Sequence, residues 1–161
     1  MQQDDIKIKE IQFPNALLLP EIVKMLEEGH TVTLRLRGFS MRPFLEDNRD
    51  KALMKKAQNV KEGDPVLAEI SPKHYVLHRV IRIKGDNVTL RGDGNIVAEH
   101  CHMGDIKGSI IGFYRKGRDK LDRTDGAKWK LYSWIWGHLY PVRRYLLAAY
   151  RRIWLRFFKP I

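Results

Sequence analysis

The sequence predicts a mainly β fold, an antiparallel β-rich sandwich or barrel, with a short N-terminal helix and a C-terminal amphipathic helical tail. Three observations lead there. Between Thr31 and Arg115 several short strand candidates follow one another, divided by turn residues and without intervening helices. Before them lies a single short helical stripe. After them the composition changes: residues 115–161 hold 13 Lys and Arg against 3 Asp, and all four tryptophans, whereas residues 1–114 hold 17 basic against 16 acidic residues. A near-neutral body thus carries a basic, aromatic tail. At 161 residues and 43% hydrophobic content the chain has room for one domain and its core.

The elements follow in order. Pro20–Glu28 reads as a helix, with proline in its first turn, Ile22, Val23, Met25 and Leu26 as its stripe and Gly29 as its stop. Thr31–Arg37 alternates Val32, Leu34 and Leu36 with polar residues, the pattern of a half-buried strand. Further strands are expected at Lys51–Lys55, Pro65–Ile70, Tyr75–Ile83, Asn87–Arg91 and Ser109–Arg115. Turns are expected at Gly63-Asp64, Ser71-Pro72, Gly85-Asp86-Asn87, Gly92-Asp93-Gly94-Asn95 and Gly104-Asp105. Gly117–Gly126 reads as a charged linker, and Val142–Phe158 as a helix. On its wheel Val142, Leu146, Ala149, Tyr150, Ile153, Trp154 and Phe157 fall in one arc, with Arg144, Arg151, Arg152, Arg156 and Lys159 opposite. Three segments result: 1–30, helical; 31–117, the core; 118–161, the tail.

Composition also limits the functional classes. Met1-Gln2-Gln3-Asp4-Asp5 is acidic where an export leader is basic, and no apolar run follows. The longest uncharged run of the tail, Leu131 to Val142, has 12 residues, short of the ~20 that a spanning helix needs. The expected location is therefore a membrane periphery, on the cytoplasmic side. Cys101 is the only cysteine, so no intrachain disulfide forms. Its neighbours His100 and His102 suggest zinc, but adjacent ligands diverge and no second cluster completes a site, so neither metal nor cofactor is expected.

Two strings carry chemistry. Ser40 lies just beyond an alternating strand, between Gly38, which can bend the backbone, and Pro43, which fixes it. A serine so held can present its hydroxyl at a sheet rim, although a plain turn serine fits the same string. His78 lies within an apolar strand, where a histidine is more often a core residue. Paired with an upstream serine it becomes a candidate base, because a serine hydroxyl needs a neighbour to take its proton. The base in turn needs a partner to hold its tautomer. Asp93, in a Gly-Asp-Gly turn, Glu99 and Asp105 are the available carboxylates.

Gly38-Phe39-Ser40-Met41-Arg42-Pro43, then Gly63-Asp64-Pro65-Val66, then His78-Arg79-Val80-Ile81, then Gly92-Asp93-Gly94-Asn95 resembles the ordered motif set of type I signal peptidases. It is closest to the serine–histidine branch of archaea and the endoplasmic reticulum, in the clan that includes the self-cleaving LexA-like domains. The resemblance spans about Thr31 to Gly117. It implies coiled antiparallel sheets, Ser40 as nucleophile, His78 as general base and the Ser40 backbone N–H as an oxyanion donor. The family's third catalytic member is an aspartate just after the last motif; that position falls on Glu99, while Asp93 matches the turn aspartate. Glycine at position 38 removes a side-chain oxyanion donor, Arg42 replaces a small or acidic residue, and the family's N-terminal membrane anchor has no counterpart.

The tail suggests a membrane surface, with aromatic rings at headgroup depth and arginines on anionic lipid. Trp129, Trp134, Trp136, Arg151, Arg152, Trp154, Arg156 and Phe157 are the candidate contacts. A helix packed on the body and a nucleic-acid partner are the competing readings, the latter without any recognisable nucleic-acid module. The function expected is a signal-peptidase-like serine endopeptidase that cuts a leader, a propeptide or a similar extended peptide. A self-cleaving LexA-like regulator and a non-catalytic peptide- or lipid-binding relative are the alternatives.

Overall fold

The computed structural model describes residues 15–161, so the reading of Met1–Asp5 lies outside the described residues. Helix α1 (Asn15–Glu27) leads into strands β1 (Val32–Arg35), β2 (Lys51–Lys56), β3 (Pro65–Ser71), β4 (His74–Lys84), β5 (Asn87–Arg91), β6 (Glu99–His102), β7 (Ile106–Tyr114) and β8 (Leu121–Arg123). These form one antiparallel sheet in the order β1-β2-β7-β3-β4-β5-β6. One side of β7 pairs with β2, and the other is shared by β3 and β8. The register shifts at Leu53/Met54, Leu67/Ala68, Glu69/Ser71 and Val80/Arg82, and each such irregularity bends its strand and increases the twist.

The long sheet encloses two apolar clusters. One, under α1, gathers Leu26, Met54, Leu67 and Phe113; the other, between β3 and β6, gathers Val66, Val80, Val88 and Leu90. The mainly antiparallel prediction holds, and the strand bounds lie within a few residues of expectation, with three differences. Helix α1 already includes Asn15, so Pro20 lies more than one turn inside it. A proline there forfeits one intrahelical hydrogen bond, and burial of Leu19, Ile22 and Leu26 outweighs that loss. The second difference is β6, where no strand is expected. Its alternation buries Cys101 and exposes His100 and His102, which puts the thiol on the face opposite both imidazoles.

The third difference concerns the tail. The expected linker contains β8, which pairs with β7 over Gly112–Tyr114. Helix α2 (Ala127–His138) then lies on the sheet, and Trp129, 4% exposed, joins the first core cluster against Phe44 and Phe113. A tight turn at Tyr140–Val142 leads to α3 (Arg143–Ala149), a wider π turn at Tyr150–Trp154 and α4 (Leu155–Phe157). The residues buried here are Arg143, Leu147 and Tyr150; of the arc drawn on the wheel only Tyr150 is buried, and Val142, Leu146, Ile153, Trp154 and Phe157 are exposed. The π turn adds a residue to the helical repeat and rotates the side chains beyond it. Among the described residues no helix is long and apolar enough to cross a membrane.

Candidate active site

Ser40 lies in the turn-rich segment that joins β1 to β2. Gly38 opens that segment with φ +87°, and its N–H donates to Asp47 Oδ1 at 2.7 Å. The far end is stapled by Asp50, fully buried, whose carboxylate accepts from the N–H groups of Glu46 and Lys116, each at 2.9 Å, and from the Arg49 guanidinium. These donors hold the Asp50 carboxyl below its usual range although burial opposes them. Arg115 stacks on the Phe44 ring and donates to the Phe44 carbonyl at 2.9 Å.

From the other side the turn after β5 clasps the serine. Gly94 N–H donates to the Ser40 carbonyl at 2.7 Å. A Cβ on Gly92 would stand 2.3 Å from that same oxygen, and one on Gly94 would stand 2.6 Å from the Phe39 carbonyl. Only glycine lets the two turns approach so closely.

His78 comes from β4, opposite Val66 of β3 and one residue before β5 begins to pair. It is 4% exposed. Glu99, the first residue of β6, closes on it with Oε2 2.6 Å from Nδ1. A carboxylate at that distance takes the Nδ1 proton as its hydrogen bond and leaves Nε2 as the free acceptor. Burial holds the His78 pKa below the ordinary histidine value, and the charge of Glu99 offsets only part of that effect. That shift favours the neutral imidazole, the form able to accept a proton. Ser40 and His78 line one cavity of about 130 Å³, together with Leu36, Met41, Leu45 and Tyr75. Neither the Ser40 hydroxyl nor its N–H has a hydrogen-bond partner among the described residues, and the hydroxyl is not bonded to the imidazole.

Asp93 takes a different place from the one the turn motif allowed. It is 1% exposed and pairs with Arg79, with Nε and Nη2 at 2.8 and 2.7 Å from its two oxygens. Tyr132 Oη donates to it at 2.8 Å, and Trp136 Nε1 donates to its carbonyl at 3.0 Å. Arg79 also donates to Ser133 Oγ and lies over the Trp129 ring. Burial and the neighbouring carboxylate push the Tyr132 phenol well above its ordinary pKa, so it stays a donor. Asp93 thus fastens the turn after β5 to β4 and α2, and of the candidate carboxylates Glu99 is the one that contacts His78. Asp105 caps the turn at His102, whose N–H it accepts at 2.8 Å.

Sequence reasoning missed this network. Its signal was Arg79, a cation between apolar strand residues, which demands a buried counter-charge. Of the predicted membrane contacts, Trp129 and Trp136 are buried in the body, because the sheet face beneath them needs a cover. Trp134, Trp154 and Phe157 are exposed, as are Arg151, Arg152 and Arg156. Among the described residues no three His, Cys, Asp or Glu side chains are grouped as a metal would require. No protein-family model matches this chain, and no curated protein matches its sequence.

Proposed function

We propose that the protein is a serine endopeptidase of signal-peptidase type, with Ser40 as nucleophile, His78 as base and Glu99 as the residue that orients it. The observation that carries the reading is the 2.6 Å contact from Glu99 to His78 Nδ1, with Ser40 across the same cavity. Ser40 and His78 share one cavity and Glu99 holds the far nitrogen of the ring, so a short approach of the Ser40 hydroxyl to Nε2 on substrate binding completes the order nucleophile, base, orienter.

The chemistry follows from that order. Ser40 Oγ attacks the scissile carbonyl carbon while His78 Nε2 takes its proton, and Glu99 stabilises the imidazolium. The unpartnered Ser40 N–H is available to the oxyanion. Collapse breaks the C–N bond, His78 returns the proton to the leaving amine, and the acyl group remains esterified to Ser40. Water, deprotonated by His78, then hydrolyses the ester. Strand β5 pairs β4 only from Arg79 onward, so His74–His78 keep one edge without a strand neighbour. An extended peptide can add there as a further strand. The cavity beside it suits a small side chain before the cut.

The same reading puts the enzyme at a membrane surface. Trp134, Tyr145, Ile153, Phe157 and Phe158 project from the tail among exposed Arg144, Arg152, Arg156 and Lys159. Each cation near anionic lipid contributes on the order of 1 kcal/mol. Intact-mass analysis with anionic vesicles and leader-type peptides, wild type beside Ser40→Ala, tests the proposal. A cut that requires Ser40 supports it. Equal cutting by Ser40→Ala overturns the mechanism. A mass loss from the protein itself points to the self-cleaving alternative.

A further inference from the structure

Ser40 lines two cavities. The second, of about 200 Å³, is lined by Phe39, Ser40, Asn95, Leu147, Tyr150 and Arg151, and so is walled by the serine turn, the turn after β5 and the C-terminal helix. A peptide whose scissile carbonyl lies at Ser40 must leave that point in both directions. With the residues before the cut along the open edge of β4, in the cavity that holds His78, the residues after the cut run into this second cavity. The helix read in the sequence chiefly as a membrane contact therefore forms one wall of this cavity.

The charge of that cavity is specific. Arg42 also lines it, but Glu46 takes its guanidinium in a two-pronged ion pair, and it lies 4.0 Å above the Phe39 ring. Arg151 has no carboxylate within ion-pair distance among the described residues. Its Nε donates only to the Leu147 carbonyl, at 3.3 Å, one turn back on its own helix. One uncompensated cation thus lines the cavity that Ser40 also lines, with Phe39 and Leu147 among its apolar walls. Asn95 adds a neutral amide.

We infer that this cavity is the leaving-side subsite and that Arg151 selects an acidic side chain in the first two residues after the cut. The inference rests on the peptidase reading and adds the substrate class to it. Two residues are named because successive side chains of an extended chain point to opposite faces, so one of the two faces Arg151.

The test uses full-length protein and two peptide pools with Ala before the cut, one with Asp and the other with Lys at both following positions. Wild type should favour the Asp pool in kcat/KM by about fivefold, the scale of one partly exposed ion pair. Arg151→Gln should erase the preference and Arg151→Glu should invert it. A preference unchanged by both substitutions overturns the inference and leaves the peptidase reading intact. Fluorescence anisotropy with Ser40→Ala and the double variant Ser40→Ala/Arg151→Glu measures binding of the same pools without turnover. If neither pool is cut, the peptidase reading fails, and binding decides the subsite. Tighter binding of the Asp pool, reversed by Arg151→Glu, supports it; binding indifferent to charge overturns it.

Discussion

At the scale of single residues the proposed activity turns on three side chains and on the state of one ring. His78 must be neutral to act, and burial already holds its pKa below the ordinary histidine value. Activity should therefore rise as pH climbs through a point below ~6.5 and be complete at neutrality. Glu99 opposes the effect of burial, so Glu99→Gln lowers the His78 pKa further and removes support from the imidazolium. A pH–rate profile of that variant should show the acid limb moved to lower pH and kcat reduced about a hundredfold or more. An acid limb moved to higher pH would refute the assignment. Ser40 and His78 were legible in the sequence because motif order carries them. The choice between Glu99 and Asp93 was not, because it depends on β6 lying beside β5 and on Arg79 claiming Asp93 first.

At the scale of elements, two turns and one helix position the serine. Gly94→Ala puts a methyl group 2.6 Å from the Phe39 carbonyl, so the two turns must part. We expect a loss of ~1–3 kcal/mol in a urea titration, with activity falling by more than that loss of folded protein explains. Tyr132→Phe removes one donor from buried Asp93 and should cost about 1–3 kcal/mol in the same titration. The helix that bears Tyr132 is where the sequence misled most. Its Trp129 and Trp136 fit an interfacial helix as well as a packed one, since composition does not say which surface an aromatic ring meets. The packed outcome follows from Phe113 of β7 and Phe44 of the segment between β1 and β2, whose rings Trp129 meets at centroid distances of 5.1 Å each. Along Val142–Phe158 the apolar arc of the wheel is exposed apart from Tyr150, and the π turn at Tyr150–Trp154 changes the period only for the residues after it.

At the scale of the molecule the tail divides into an inner half that completes the body and an outer half that faces away from it. Trp129 and Trp136 are 4% and 8% exposed, and Trp134 and Phe157 are 63% and 71% exposed. Substitution should separate the halves. Trp129→Ala should cost about 3–5 kcal/mol of stability. Trp134→Ala with Phe157→Ala should leave the urea midpoint in place and weaken flotation on anionic vesicles. A chain cut near Gly117 would uncover the first core cluster, so loss of activity there would say nothing about membranes. Flotation unchanged by the outer substitutions would leave the membrane without a role and the catalytic proposal untouched.

Ser40, His78 and Glu99 are proposed to act as one unit, and kcat/KM at pH 7 on a single cleavable peptide decides whether they do. Wild type, Ser40→Ala, His78→Ala and Glu99→Gln are the four proteins to compare. Wild type should cleave, the first two variants should show no cleavage of their own, and the third should be slowed. Cleavage by Ser40→Ala or His78→Ala at the wild-type rate would rule the unit out.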